Sequence, residues 1–185
     1  MCGIVGCIDK TLSYVEGVDL VTQWQQDLKH RGPDSVGSYI SNPVTSTMTR
    51  LSIIDLFSGG QPFLLQKKSG VVYQNGEIYN YKELKKQLQS EGFEFYSTSD
   101  TEVISVGYTA WGIEKLISKL QGMFAISIFD FMSNTLYLAR DRFGEKPLFY
   151  TNRNEKFAYS SYLKAFKRLP WIDFSLDPES LMYYL

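Results

Sequence analysis

This chain of 185 residues is poor in thiols and imidazoles, with two cysteines and one histidine. Read as parts of one strand, Cys2 and Cys7 stand about 16–17 Å apart with side chains on opposite faces. A disulfide needs Cα atoms ~4.4–6.8 Å apart, so that pairing is excluded. With His30 the single imidazole, no metal cluster is evident in the sequence. An excess of either charge is missing too: 19 Lys and Arg against 20 Asp and Glu leave a net charge of −1, with the basic residues scattered. That excludes the electrostatic footprint of a nucleic-acid or anionic-membrane binder and leaves a small molecule as the expected partner. The most apolar run, Gly122 to Phe131, is interrupted by Ser127 and Asp130 and falls short of the ~18 residues of a membrane span. The N-terminus lacks the basic flank and cleavage pattern of a signal peptide, so the chain reads as cytoplasmic.

What is present is a composition of 44% hydrophobic and 21% charged residues, suited to a single domain over residues 1–185 with a continuous core. Gly3 to Ile8 reads as a buried strand. Val15, Val18, Val21, Trp24 and Leu28 fall on one helical face, predicting a helix from Val15 to Lys29 that ends before Arg31-Gly32-Pro33. Extended segments follow at Val36 to Ile40, Thr45 to Ile54 and Gly70 to Gln74. Tyr81, Leu84 and Leu88 mark a second helix stopped by Gly92. Ser99-Asp100-Thr101-Glu102 is a capping-box pattern opening a third. Beyond it, Gly122 to Phe131 and Thr135 to Arg140 form one hairpin, and Leu148 to Thr151 with Lys156 to Ser160 another. Helices placed between runs of antiparallel strands indicate an α+β fold rather than a Rossmann sheet. The last segment starts as a helix at Asp177-Pro178 and stops inside an apolar turn, as expected of a piece of a longer chain.

Cys2 follows the initiator methionine directly. Removal of Met1 puts a thiol and a free α-amine on one residue, with ordinary pKa values near ~8.5 and ~7.7–8.0, so that the amine can take the thiol's proton. The plainer reading is a small buried hydrophobe at the start of a strand. Six motifs in order outweigh it: Cys2-Gly3-Ile4-Val5-Gly6, His30-Arg31-Gly32-Pro33-Asp34, Arg50-Leu51-Ser52-Ile53-Ile54-Asp55, Asn75-Gly76-Glu77-Ile78-Tyr79-Asn80, Ser99-Asp100-Thr101-Glu102 and Arg140-Asp141-Arg142-Phe143-Gly144. Together they resemble the N-terminal glutaminase domain of glutamine-hydrolysing asparagine synthetases, class II glutamine amidotransferases, and the resemblance covers almost the whole chain. It implies the N-terminal-nucleophile hydrolase fold, a four-layer α/β/β/α sandwich of two mostly antiparallel sheets.

The resemblance also implies roles. Cys2 attacks the side-chain amide of glutamine and passes through a γ-glutamyl thioester, with the α-amine as base. The alternative of a Cys2–His30 dyad is set aside, with His30 shaping a turn. Asn75 and Gly76 supply the oxyanion donors, although Asn-Gly alone is the strongest hairpin-turn signal. Arg50 takes the substrate carboxylate, where the plain alternative is a solvated strand-end charge. Asp100 takes the ammonium, where the alternative is a first-turn acid favoured by the helix dipole. Backbone groups of Leu51, Ile53 and Ile54 line the same edge, and Glu77 assists at the ammonium or the amide. No cofactor is expected in this domain. ATP and Mg belong to a C-terminal synthetase domain expected in cis, which would choose the ammonia acceptor, and a homodimer is compatible with the family.

Other marked residues read as structural. Gly32-Pro33-Asp34 predicts a tight loop beside the pocket, and the Arg140-to-Lys146 segment a salt-bridged loop. Ser160-Ser161-Tyr162 stands where many relatives carry Ser-Glu, and its expected location is away from the pocket, towards the synthetase half. Glu145 replaces an apolar residue of some relatives, which leaves sugars or other metabolites open as acceptors. A retained Met1 would block the amine and leave a glutamine-binding or docking domain without turnover.

Overall fold

The computed structural model describes residues 2–184, with the backbone alone at Lys67; Met1, whose removal the sequence reading expects of an active domain, lies outside the described residues. Among the described residues nine strands form two sheets. The first has the order β2 (Ser35–Ser41), β3 (Val44–Arg50), β1 (Gly3–Ile8), β9 (Lys156–Ser160), β8 (Phe149–Arg153); the second has β4 (Phe63–Leu64), β5 (Gly70–Ile78), β6 (Gly122–Asp130), β7 (Thr135–Arg140). Every pairing is antiparallel.

Alternation along the strands sorts the side chains into layers. Ile4 and Met48 of the first sheet meet Val71, Tyr73, Ala125 and Phe129 of the second in a core between the sheets. Val5 and Cys7 face the other way, onto Leu20, Val21, Trp24 and Leu28 of α1 (Tyr14–Leu28). Val72, Ile126 and Ile128 of the second sheet pack outward on α2 (Tyr81–Ser90) and α3 (Asp100–Lys119). The result is the expected α/β/β/α sandwich. Cys2 and Cys7 are unpaired and lie on opposite faces.

Several elements depart from the sequence reading. Val15 and Val18 of α1 are exposed, because the helix sits on the sheet through Gly17, whose position leaves room for Ile40 and Thr45 but for no larger residue. The buried face is therefore Gly17, Leu20, Val21, Trp24 and Leu28, and a full capping box forms at Ser13 and Glu16. At α3, Ser99 is the N-cap and accepts from the Thr101 N–H, but Glu102 does not close the box; its carboxylate instead takes the N–H groups of Tyr96 and Ser97 and the Ser97 hydroxyl, pinning the preceding loop. The strand expected to reach Ile54 ends at Arg50, where the pairing with Ser35 ends, and residues 51–60 leave the sheet as a loop. Asn75-Gly76 is no turn, since β5 runs straight through it and pairs with β6 as far as Ile78. The loop after Arg140 is held by main-chain hydrogen bonds: Asp141 accepts from the N–H of Phe124, Phe143, Glu145 and Lys146, and Arg140 donates to the carbonyls of Gly144 and Lys146.

Candidate active site

Sheet registers bring the predicted residues together. The register Gly3↔Thr49 places Cys2, one residue earlier, beside Arg50, one residue later. On β5, Asn75 and Glu77 share the face of Val71 and Tyr73 and so look into the space between the sheets, while Gln74 looks out at α3. Cys2, Arg50, Asn75, Gly76, Glu77 and Asp100 all line one cavity of about 160 Å³, and Leu51, Ile53 and Ile54 form its rim.

Cys2 is half-buried, with its Sγ 3.7 Å from the Leu51 carbonyl oxygen, to which the thiol donates. Burial pushes the thiol's pKa up, partly offset by the backbone at Leu51 and the positive field of Arg50. A thiolate is therefore scarce at neutral pH unless a base takes the proton. Its main-chain carbonyl accepts from Arg31 Nε at 3.1 Å, a contact that spacing alone could not reveal. His30 is exposed, packs edge-on against the Tyr162 ring at 4.9 Å between centroids, and does not line the cavity, so it is not placed for a dyad.

Arg50 is 6% exposed. Its Nη2 donates to the carbonyls of Ile54 (2.8 Å) and Asp55 (2.6 Å), and among the described residues no carboxylate pairs with it. The rest of its fork is available to an anion. The Ile54 carbonyl thus orients Arg50. The loop that carries it is latched by Asp55, whose carboxylate accepts from the N–H groups of Ser58 and Thr98 and from the Ser58 hydroxyl. Burial works against that charge, but the hydrogen bonds outweigh it and hold the carboxyl well below its ordinary range. Nothing in the sequence marked Asp55 for this task.

Asp100 opens α3 and is 5% exposed. Burial pushes its carboxyl up, opposed by the Ile78 N–H at 3.0 Å and the Gln74 side-chain amide at 2.8 Å, both on Oδ2. Gln74 is itself held: its Oε1 accepts from the Thr101 hydroxyl, and its N–H donates to Gln61 Oε1. This satisfied network fixes the acid, and sequence reading missed it because Gln61 and Gln74 carry no pattern of their own and Thr101 was read only as part of a helix cap.

Gly76 has φ of 146°, and a Cβ there would run into the Met123 carbonyl, so the wall beside Asn75 requires glycine. Lys146, buried, completes the cavity from the loop after β7. Ser161 is not remote: its hydroxyl lies 3.4 Å from Asn75 Nδ2, which corrects the expectation that this segment faces away from the pocket.

A small cavity lined by Cys2, by the amide of Asn75 and by acidic and basic side chains of both signs, Glu77 and Asp100 with Arg50 and Lys146, is suited to a small zwitterionic molecule. Comparison with known proteins agrees, since the family profile described as the glutamine amidotransferase domain matches residues 1–185. The chain belongs to this family. It is 40% identical over 187 residues to asparagine synthetase [glutamine-hydrolyzing] 1 of Bacillus subtilis (strain 168), covering 100% of this chain and 29% of that one. It is 36% identical to asparagine synthetase B [glutamine-hydrolyzing] of Escherichia coli (strain K12), covering 80% of this chain and 26% of that protein. Amidase chry2 of Gibberella zeae is 39% identical over 155 residues, covering 82% of this chain and 22% of the amidase. This glutamine amidotransferase domain thus spans less than a third of the length of these relatives. Among solved structures, glutamine phosphoribosylpyrophosphate amidotransferase from B. subtilis superposes with a TM-score of 0.74 at 20% identity over 90% of this chain and 43% of that one, which shows the shared fold.

Proposed function

We propose that the domain hydrolyses the side-chain amide of glutamine to glutamate and ammonia through a Cys2 thioester. One observation carries this: Cys2, Asn75-Gly76, Arg50 and Asp100 arrive from separate elements at a single small cavity. Once Met1 is gone, the α-amine takes the thiol proton and sulfur attacks the amide carbon. Asn75 and Gly76 stabilise the oxyanion, a contribution of ~2.7–4 kcal/mol per donor in comparable sites. The protonated amine returns its proton to the leaving nitrogen, ammonia departs, and water cleaves the thioester to regenerate the thiol. Arg50 holds the α-carboxylate, and Asp100, with Glu77, the α-ammonium. Nothing in this sequence of proton transfers calls for a cofactor in this domain.

The ammonia is proposed to serve an ATP- and Mg-dependent synthetase domain in cis, with aspartate as acceptor, a reading supported by relatives named asparagine synthetases. A second reading, in which another metabolite is amidated, stays open because the similarity to a protein named an amidase shows that this domain type is not confined to proteins named asparagine synthetases. A reducing cytoplasm suits the free Cys2 thiol. Homodimers are compatible with either reading.

The test pairs intact-mass measurement of the N-terminus with a glutaminase assay in the absence of ATP. Protein lacking Met1 should release glutamate, and Cys2→Ala should abolish release. Folded, processed protein that yields no glutamate at saturating glutamine would remove the enzymatic reading.

A further inference from the structure

Among the predicted site residues, Asn75 is left with incomplete hydrogen bonding. Its side chain is wholly buried, its Nδ2 lies 3.4 Å from Ser161 Oγ, and its Oδ1 has no partner among the described residues. Ser161, also buried, follows β9. Its N–H donates to the Ile4 carbonyl at 2.8 Å and its Oγ accepts the Ile4 N–H at 3.3 Å, so the hydroxyl is tied to the strand of Cys2 and keeps a proton to give. In this arrangement two N–H donors converge on one oxygen while a buried acceptor stays empty, the reverse of how buried polar groups pair.

The two ends of a carboxamide have the same shape, and hydrogen bonding decides which faces which neighbour. Turning the Asn75 amide by 180° sets Oδ1 against Ser161 as acceptor of its O–H. The same turn sends Nδ2 to the end that has no protein partner among the described residues, on a residue that lines the cavity. We propose that Ser161 is a positioning residue: its hydroxyl locks the Asn75 amide with Nδ2 presented as oxyanion donor, and its bonds to Ile4 hold that donor in register with the nucleophile. The inference deepens the glutaminase reading and rests on it. Ser161 links the nucleophile's sheet to the sheet that supplies the donor, and it touches no substrate itself.

The experiment uses the full-length protein processed at Met1, with Ser161→Ala, Ser161→Thr, Asn75→Ala and the double variant Ser161→Ala/Asn75→Ala. Ser161→Ala should lower kcat for glutamine about 10–100-fold with KM nearly unchanged, because the loss falls on the transition state. Ser161→Thr, which keeps the hydroxyl, should retain most of kcat. In the Asn75→Ala background the Ser161 substitution should cost nothing further. The aldehyde analogue of glutamine forms a tetrahedral hemithioacetal with Cys2, and its affinity should weaken in step with kcat in Ser161→Ala. Should Ser161→Ala fail to fold, the near-isosteric Ser161→Cys, a weak donor, carries the same comparison. Losses that multiply in the double variant, or a rise in KM at constant kcat, would overturn the inference while leaving the glutaminase reading intact. Native protein without glutaminase activity would overturn both.

Discussion

Arg50 and Asp100 show how little room a buried charge has to be incidental. Each is nearly inaccessible, each is oriented by backbone or amide groups, and neither neutralises the other through a direct ion pair. Such sites are costly when empty and are relieved by a zwitterion that brings the missing charges. Arg50→Ala should lower glutamine kcat/KM about 10–150-fold, the equivalent of a ~1.5–3 kcal/mol charge-assisted contact. Amidating the substrate α-carboxylate should then hurt the native enzyme far more than the variant. Asp100→Asn should show the reciprocal pattern for substrates acylated at the α-amine. Equal penalties in native and variant enzymes would break the pocket assignment. These residues were legible in the sequence through their motifs, whereas the tasks of Gln61, Gln74 and Asp55, which hold them or the loop beside them, were not. An aiming role depends on what lies across a gap between elements, and spacing along the chain does not encode that.

Helix α1 illustrates the same division one level up. Its existence follows from periodicity and its N-terminal cap, but the buried face was set by Gly17 pressing on Ile40 and Thr45. Asp27, buried on that face, takes a bidentate pair of hydrogen bonds from Arg168 at 2.7 and 3.0 Å, with Lys164 at 3.7 Å, and so ties α1 to the short 3-10 segment Leu163–Arg168. The hydrogen bonds from Arg168, aided by its charge and that of Lys164, outweigh desolvation and depress the Asp27 carboxyl below its ordinary value. A depressed folded-state pKa contributes stability above the unfolded value near ~3.9 that is lost as pH falls through the folded value. Arg168→Leu should therefore cost about 2 kcal/mol at pH 7 and lower Tm by about 4–8 °C, Arg168 being partly solvated. The gap between native and variant melting curves should close in acid. A constant gap across pH would mean that Arg168 acts through its aliphatic stem instead.

Viewed whole, the molecule draws the lining of its cavity from two sheets: Arg50 and, one residue before β1, Cys2 from the first, Asn75 and Gly76 from the second, with Asp100 from the helix that covers the second. A ligand bound between them fastens the two halves of the sandwich together. In Cys2→Ala, which cannot turn over, glutamine at one hundred times its Kd should stabilise the fold by ~2.7 kcal/mol and raise Tm by about 5–11 °C. Adding Arg50→Ala should remove roughly half to nine-tenths of that rise at the same glutamine concentration, for a ~10–150-fold weaker Kd. A shift that survives the second substitution would place glutamine elsewhere.

The order of helices and strands, the unpaired state of Cys2 and Cys7, and the membership of Cys2, Arg50, Asn75, Gly76 and Asp100 in one constellation were readable along the chain, because local periodicity, composition and motif spacing are properties of neighbours in sequence. Asn75-Gly76 marks the limit of that reading. As a dipeptide it signals a turn, yet it lies inside β5, because pairing with Ala125 and Phe124 stabilises the extended form and the Met123 carbonyl leaves no room for a side chain at Gly76. The same holds for Ser161, 86 residues from the Asn75 it touches. Which buried amide end finds a partner, where a strand stops, and which face of a helix packs are settled by groups that meet only once the sheets are stacked, since burial makes each unpaired polar atom costly and each close approach exclusive.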